Sequence, residues 1–104
     1  MIELSPLARP YAKAVFSAAL DIGKQDEVAK ELSTLSSISQ TKEVTSLIAD
    51  PELSKVEIAE TIVSLLQDDM GDISTKMIEL LAENKRLNLI EAIYTSYQEL
   101  LEEH

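Results

Sequence analysis

The chain has 104 residues, 45% of them hydrophobic, and a formal charge of −10 from 19 acidic and 9 basic side chains, with no cysteine. This is enough for one domain with its own core, and a mean hydropathy near zero argues against both disorder and a membrane class. The acidity repels nucleic-acid phosphate and anionic lipid, no apolar run reaches the ~18 residues of a membrane span, and thiolate, disulfide and zinc–thiolate chemistry is excluded.

The N-terminus lacks the basic region and apolar block of a secretory signal, and it is not the Arg- and Ser-rich, acid-poor stretch of a transit peptide. Apolar spacing is helical almost throughout, with only two glycines and three prolines, so the expected fold is all-α. A compact, single-domain bundle of about six short helices is predicted. The first helix runs from about 6 to 22. Pro6 and Pro10 are placed in or near its first turn, where missing amides cost least, and Gly23 is a left-handed stop.

This first helix has more apolar surface than its place in a small domain requires. At about 100° per residue, Arg9, Pro10, Lys13, Ser17, Asp21 and Lys24 share an arc of roughly 120°. The rest of the circumference carries two apolar stripes. Leu7, Tyr11, Ala14, Ala18 and Ile22 form one; Ala12, Phe16, Ala19 and Leu20 form the other, with Val15 between them. A surface helix needs a single stripe. Either this helix is the central rod of the bundle, or one stripe is left for a partner.

The second helix, about 25 to 38, turns Val28, Leu32 and Leu35 inward. A third, about 42 to 49, uses Val44, Leu47 and Ile48 and ends before Asp50-Pro51. The fourth opens on a capping box, Ser54-Lys55-Val56-Glu57, with Leu53 and Ile58 placed as a hydrophobic staple. Val56, Ala59, Ile62, Val63 and Leu66 are expected on its inner face. The segment from Asp68 to Asp72, containing Gly71, breaks this helix.

A fifth helix spans about 73 to 83, with Asn84 as its C-terminal cap. The sixth is expected to start on Asn88 as N-cap, with Glu91 three residues on, and to run to about 102. Leu89, Ile93, Tyr97 and Leu100 line its inner face, with Ile90, Tyr94 and Leu101 beside them. Helix five repeats the excess of helix one. Ile73, Met77, Ile78, Leu80, Leu81 and Ala82 spread over about 200°, interrupted only by Ser74. Met77, Ile78 and Leu81 suffice for a core, which leaves Ile73 and Leu80 towards the edge that carries Lys76 and Glu83.

Catalytic chemistry has little to work with. The lone histidine, His104, is the last residue and is expected to fray, so no Ser-His or Cys-His pair exists. No Gly-rich phosphate loop is present. Asp68, Asp69 and Asp72, with Glu79 at the twelfth position, invite a calcium reading. It fails because Met70 replaces an oxygen ligand and Ile73 stands where the sharp turn needs glycine. Thr45-Ser46-Leu47 and Val63-Ser64-Leu65 are not the Asp-Ser-Leu that a phosphopantetheine carrier needs. No cofactor or metal is expected.

Three readings of the surplus apolar surface stand at this point. It is all core; or it forms a groove between helices one and five that takes up an amphipathic helix; or it is a self-association patch. An acid–base hydrolase would need two converging carboxylates.

Ala8-Arg9-Pro10-Tyr11-Ala12-Lys13-Ala14-Val15-Phe16 resembles the opening helix of the delta subunit family of bacterial rotary ATP synthases, which includes the mitochondrial oligomycin-sensitivity-conferring protein. Ala82-Glu83-Asn84-Lys85-Arg86-Leu87 resembles the same family's turn between helices five and six. The resemblance covers residues 1–104 and only the N-terminal helical domain of the family. It implies a six-helix bundle on top of the catalytic head and a non-catalytic stator role at the cytoplasmic face of the bacterial inner membrane, with no direct membrane insertion. The implied partner is the N-terminal helix of an alpha subunit, held between helices one and five. The b subunits of the peripheral stalk would be gripped by a second domain, expected to be absent from this chain. On this sequence the groove would be Tyr11, Ala14, Val15 and Ala18 facing Ile73, Lys76, Met77 and Leu80. Asn84, Asn88 and Glu91 are assigned to capping, and Arg9, Lys13 and Arg86 to solvated or intrachain pairing.

Overall fold

The computed structural model describes residues 5–66 and 70–104. Six α-helices follow one another: α1 (Ser5–Asp21), α2 (Gln25–Ser39), α3 (Lys42–Ala49), α4 (Lys55–Leu66), α5 (Asp72–Glu83) and α6 (Ile90–Glu103). A 3-10 turn, Leu87–Leu89, precedes α6, and no strand occurs among the described residues. The all-α bundle expected from the apolar spacing is therefore the observed architecture. Asp68 and Asp69, part of the expected break after α4, lie outside the described residues; Met70 and Gly71 are non-helical.

α6 is the spine. α1 and α2 pack most extensively against it, and α4 packs on α5, which in turn touches α1. Ala8, Ala12, Val15, Phe16 and Ala19 are the buried face of α1. The inward residues of α2 (Val28, Leu32, Leu35) and of α6 (Ile90, Ile93, Tyr97) are buried with them. Phe16 and Tyr97 meet edge to face, with centroids 5.4 Å apart and planes at 77°.

Local punctuation sets several of the helix ends. Both legs of the capping box form: Glu57 N–H donates to Ser54 Oγ at 3.1 Å, and Ser54 N–H donates to Glu57 Oε1 at 3.1 Å. Thr41 Oγ1 caps α3 by accepting from Val44 N–H at 3.3 Å. Gly23, at φ 67°, closes α1: its N–H reaches Leu20 O at 3.1 Å, and Lys24 N–H reaches Ala19 O at 2.9 Å.

Four expectations need correction. Pro10 lies inside α1 rather than in its first turn. The amide it lacks would have paired with the carbonyl of Pro6, so α1 forgoes one internal hydrogen bond on its exposed side. Asn88 does not cap α6; it sits within the 3-10 turn, and the helix starts two residues later with no side-chain cap. The burial of Leu87 and Leu89 on either side, 5% and 0% exposed, draws this segment inward and overrides the local cap signal. Val56 faces out at 65% exposure, because Ile58, Ala59, Ile62 and Leu66 already fill the inner face of α4. His104 does not simply fray. Its ring meets Phe16 edge-on at 5.8 Å, and its N–H donates to Leu100 O at 3.1 Å.

Tyr97 links the core to pH. Its hydroxyl donates to Gln25 O at 2.6 Å, tying α6 to the start of α2. Burial first, then the negative charges of Asp26 and Glu31, push this phenol up to about 12 from its ordinary 10.0. The folded state thus holds the proton more tightly than the unfolded chain. The stability this adds is complete below the ordinary value and is lost as pH rises through about 12. Tyr97→Phe should lower stability at neutral pH by about 1 kcal/mol, through the lost hydrogen bond. It should also flatten the decline above the ordinary phenol range. Urea unfolding of both proteins across alkaline pH measures both effects.

Candidate functional site: the furrow between α1 and α5

The core uses mainly one of the two stripes of α1, with Tyr11 of the other packing against its edge. Ala12, Phe16 and Ala19 are buried, whereas on the other stripe Leu7 is 41% and Ile22 58% exposed. Between them Ala14 is exposed, and Tyr11 and Ala18 are half-buried. α1 is therefore not the central rod, and the row Leu7-Tyr11-Ala14-Ala18-Ile22 runs along an open face. On α5, Ile78 and Leu81 are sealed while Leu80 is 47% exposed, Ile73 is half-buried and Lys76 is exposed.

α1 and α5 run antiparallel along this face. At one end Asn84 Nδ2 donates to the Tyr11 hydroxyl at 3.2 Å. At the other, Ile22 and Ile73 line a common crevice of about 150 Å³ with Gly71. Tyr11 to Ile22 and Ile73 to Asn84 are equal spans, about 16 Å at a rise of about 1.5 Å per residue. Between these ends the two helices lie side by side for about three turns, with Ala14, Lys76 and Leu80 exposed and Tyr11, Ala18 and Ile73 half-buried along the strip that we call the furrow.

Of the eight residues predicted for this site, Ala14, Lys76 and Leu80 are exposed and Tyr11, Ala18 and Ile73 half-buried. Val15 and Met77 do not. They are 7% and 4% exposed and belong to the core beneath. Met77 shares the face of Leu81, four residues on, and Val15 is turned about 100° from Ala14 towards the buried stripe.

The wall formed by α5 is anchored at both ends. Glu31 of α2 accepts from Ser74 Oγ at 2.6 Å and from Gly71 N–H at 3.2 Å. It thus places a carboxylate at the N-terminus of α5, where the helix dipole favours negative charge. Ser74 is fully buried, so its hydroxyl needs this partner. At the C-terminal end, Asn84 N–H bonds Leu80 O at 3.0 Å, Lys85 N–H bonds Ala82 O at 3.2 Å, and Arg86 N–H bonds Leu81 O at 2.7 Å. Lys85 takes the left-handed position of this turn at φ 58°. Sequence reasoning missed Glu31 and the Asn84–Tyr11 pair. The polar Ser74 inside an otherwise apolar arc was the one signal pointing to a buried acceptor.

No three His, Cys, Asp or Glu side chains gather as metal ligands among the described residues. Arg9 stands in a small crevice with Glu99 and Glu103 of α6. No helix among the described residues is long and apolar enough to cross a membrane.

The sequence model of the family described as "ATP synthase delta (OSCP) subunit" matches residues 7–104. Among similar proteins is the ATP synthase subunit delta of Pasteurella multocida, 34% identical over 104 residues, covering 100% of this chain and 58% of the relative. That of Marinobacter nauticus is 37% identical over 105 residues, covering 98% and 59%. The chain thus spans somewhat under three fifths of the length of these relatives. This helical bundle, matched over residues 7–104, belongs to the ATP synthase delta (OSCP) subunit family.

Proposed function

We propose that this chain is a non-catalytic stator module of a rotary ATP synthase, and that the furrow between α1 and α5 holds the N-terminal helix of an alpha subunit. The observation that carries this reading is the second apolar stripe of α1, left uncovered beside the half-exposed residues of α5. An amphipathic helix laid along three turns of this furrow would bury Leu7, Ile22 and Leu80 and bring its backbone close over Ala14 and Ala18. Tyr11 would supply apolar area with a polar handle at one end. Such a grip connects the catalytic head to the peripheral stalk, whose b subunits would be contacted by the further length present in the relatives. The head is then held against rotor torque. The module would work at the cytoplasmic face of the bacterial inner membrane as a peripheral part of the complex.

Circular dichroism of a synthetic peptide of the alpha subunit's N-terminal segment tests the reading. Helicity of the mixture should exceed the sum of the separate spectra and saturate at one peptide per domain. Spectra that merely add, at concentrations where the domain is folded, would refute it.

A further inference from the structure

The hydrogen bond across the end of the furrow has a direction, and the direction has consequences. Asn84 Nδ2 donates and the Tyr11 hydroxyl oxygen accepts, at 3.2 Å. The carboxamide is delivered there by the turn that ends α5. Its backbone N–H is fixed on Leu80 O at 3.0 Å, and the next two amides close on Ala82 and Leu81. That closure requires Lys85 at φ 58°, a conformation that costs glycine nothing but strains a residue with a side chain. An NH2 group can only donate, whereas a phenol has one proton to give and two lone pairs to receive with. With a lone pair engaged by Asn84, the O–H of Tyr11 points elsewhere, and among the described residues the hydroxyl makes no other hydrogen bond.

We infer that Asn84 is a positioning residue that fixes the Tyr11 hydroxyl as a proton donor towards the helix docked in the furrow. The inference rests on the proposed function and deepens it. The occupant favoured at this end presents an oxygen acceptor: an Asp, Glu, Asn or Gln side chain, or an open carbonyl of its terminal turn. A partner offering a donor there would leave the phenol proton without an acceptor, a penalty that selects against it.

Asn84→Asp tests this because it keeps the shape and reverses the bond. A carboxylate only accepts, so it would draw the phenol O–H into a hydrogen bond with itself and leave the furrow without a donor. Affinity for the alpha-subunit N-terminal peptide, measured by fluorescence anisotropy, should fall by about 5- to 10-fold in Asn84→Asp and by a similar factor in Tyr11→Phe. On the Tyr11→Phe background Asn84→Asp should change affinity by less than about 2-fold, because the donor it would have consumed is already gone. An equal loss on both backgrounds would mean that the added charge alone acts, and would overturn the inference. So would wild-type affinity in Asn84→Asp. Ala14→Asp and Leu80→Ala, measured alongside, separate the two levels. If they weaken binding while Asn84→Asp does not, only the role of Asn84 falls. If they too bind like the wild type, the furrow reading falls with it.

Discussion

Ala12→Asp is expected to prevent folding, whereas Ala14→Asp, two residues away on the same helix, is expected to fold and to lose its partner. Ala12 is fully buried against the core, so a carboxylate there would be an unpaired charge out of water. The penalty is several kcal/mol, a large part of the about 5–15 kcal/mol that holds a domain of this size together. Ala14 is exposed on the open stripe. Its replacement costs only the helix-propensity difference, about 0.5 kcal/mol. The same carboxylate would nonetheless be desolvated when an apolar helix settles over Ala14 and Ala18. Peptide affinity should therefore drop at least about tenfold, roughly 1.4 kcal/mol. Thermal unfolding followed by circular dichroism, with anisotropy titration of a labelled peptide, reads both quantities. Unfolding of Ala14→Asp would place Ala14 in the core and remove the furrow.

The second expected result repeats the contrast on α5, between neighbours. Leu81 is fully buried, and Leu81→Ala should cost about 2–5 kcal/mol of stability, from lost transfer energy and the cavity left behind. Leu80 is 47% exposed, and Leu80→Ala should be far milder for the fold. Its loss should appear in binding, at about tenfold, because Leu80 is the largest apolar side chain that α5 leaves open to the furrow. Urea unfolding and peptide titration of the two variants should give opposite rank orders. If Leu80→Ala proved the more destabilising, the division between core face and docking face on α5 would be wrong.

These contrasts rest on a division already visible in the helical wheel. Two stripes on α1 and an over-wide arc on α5 are properties of spacing, and spacing is local information. For the same reason the capping box at Ser54 and the left-handed stop at Gly23 could be read from a few consecutive residues. Depth could not. A wheel places Val15 between the two stripes of α1 and Met77 among the core residues of α5; the expected groove takes in both, yet the structure seals them at 7% and 4% exposure. Asn88 shows a local signal losing to a global one, since the buried leucines on either side of it make the 3-10 turn and displace the helix start. Least legible were the polar contacts that fix the furrow's geometry. Glu31 meets Ser74 across 43 positions of chain, and Asn84 meets Tyr11 across 73, so no short pattern encodes either. Asn84 looked like a cap and is one through its backbone. Its side chain has a second task that only the antiparallel approach of α1 and α5 creates.

The most direct measurement is an amide and methyl NMR titration of the domain with the alpha-subunit N-terminal peptide. The furrow reading predicts that saturable shift changes gather on Tyr11, Ala14, Ala18 and Ile22 of α1 and on Ile73, Lys76 and Leu80 of α5, with α3 and the outer face of α4 unmoved. Changes centred on α3 or α4, or changes that follow protein concentration rather than added peptide, would contradict it.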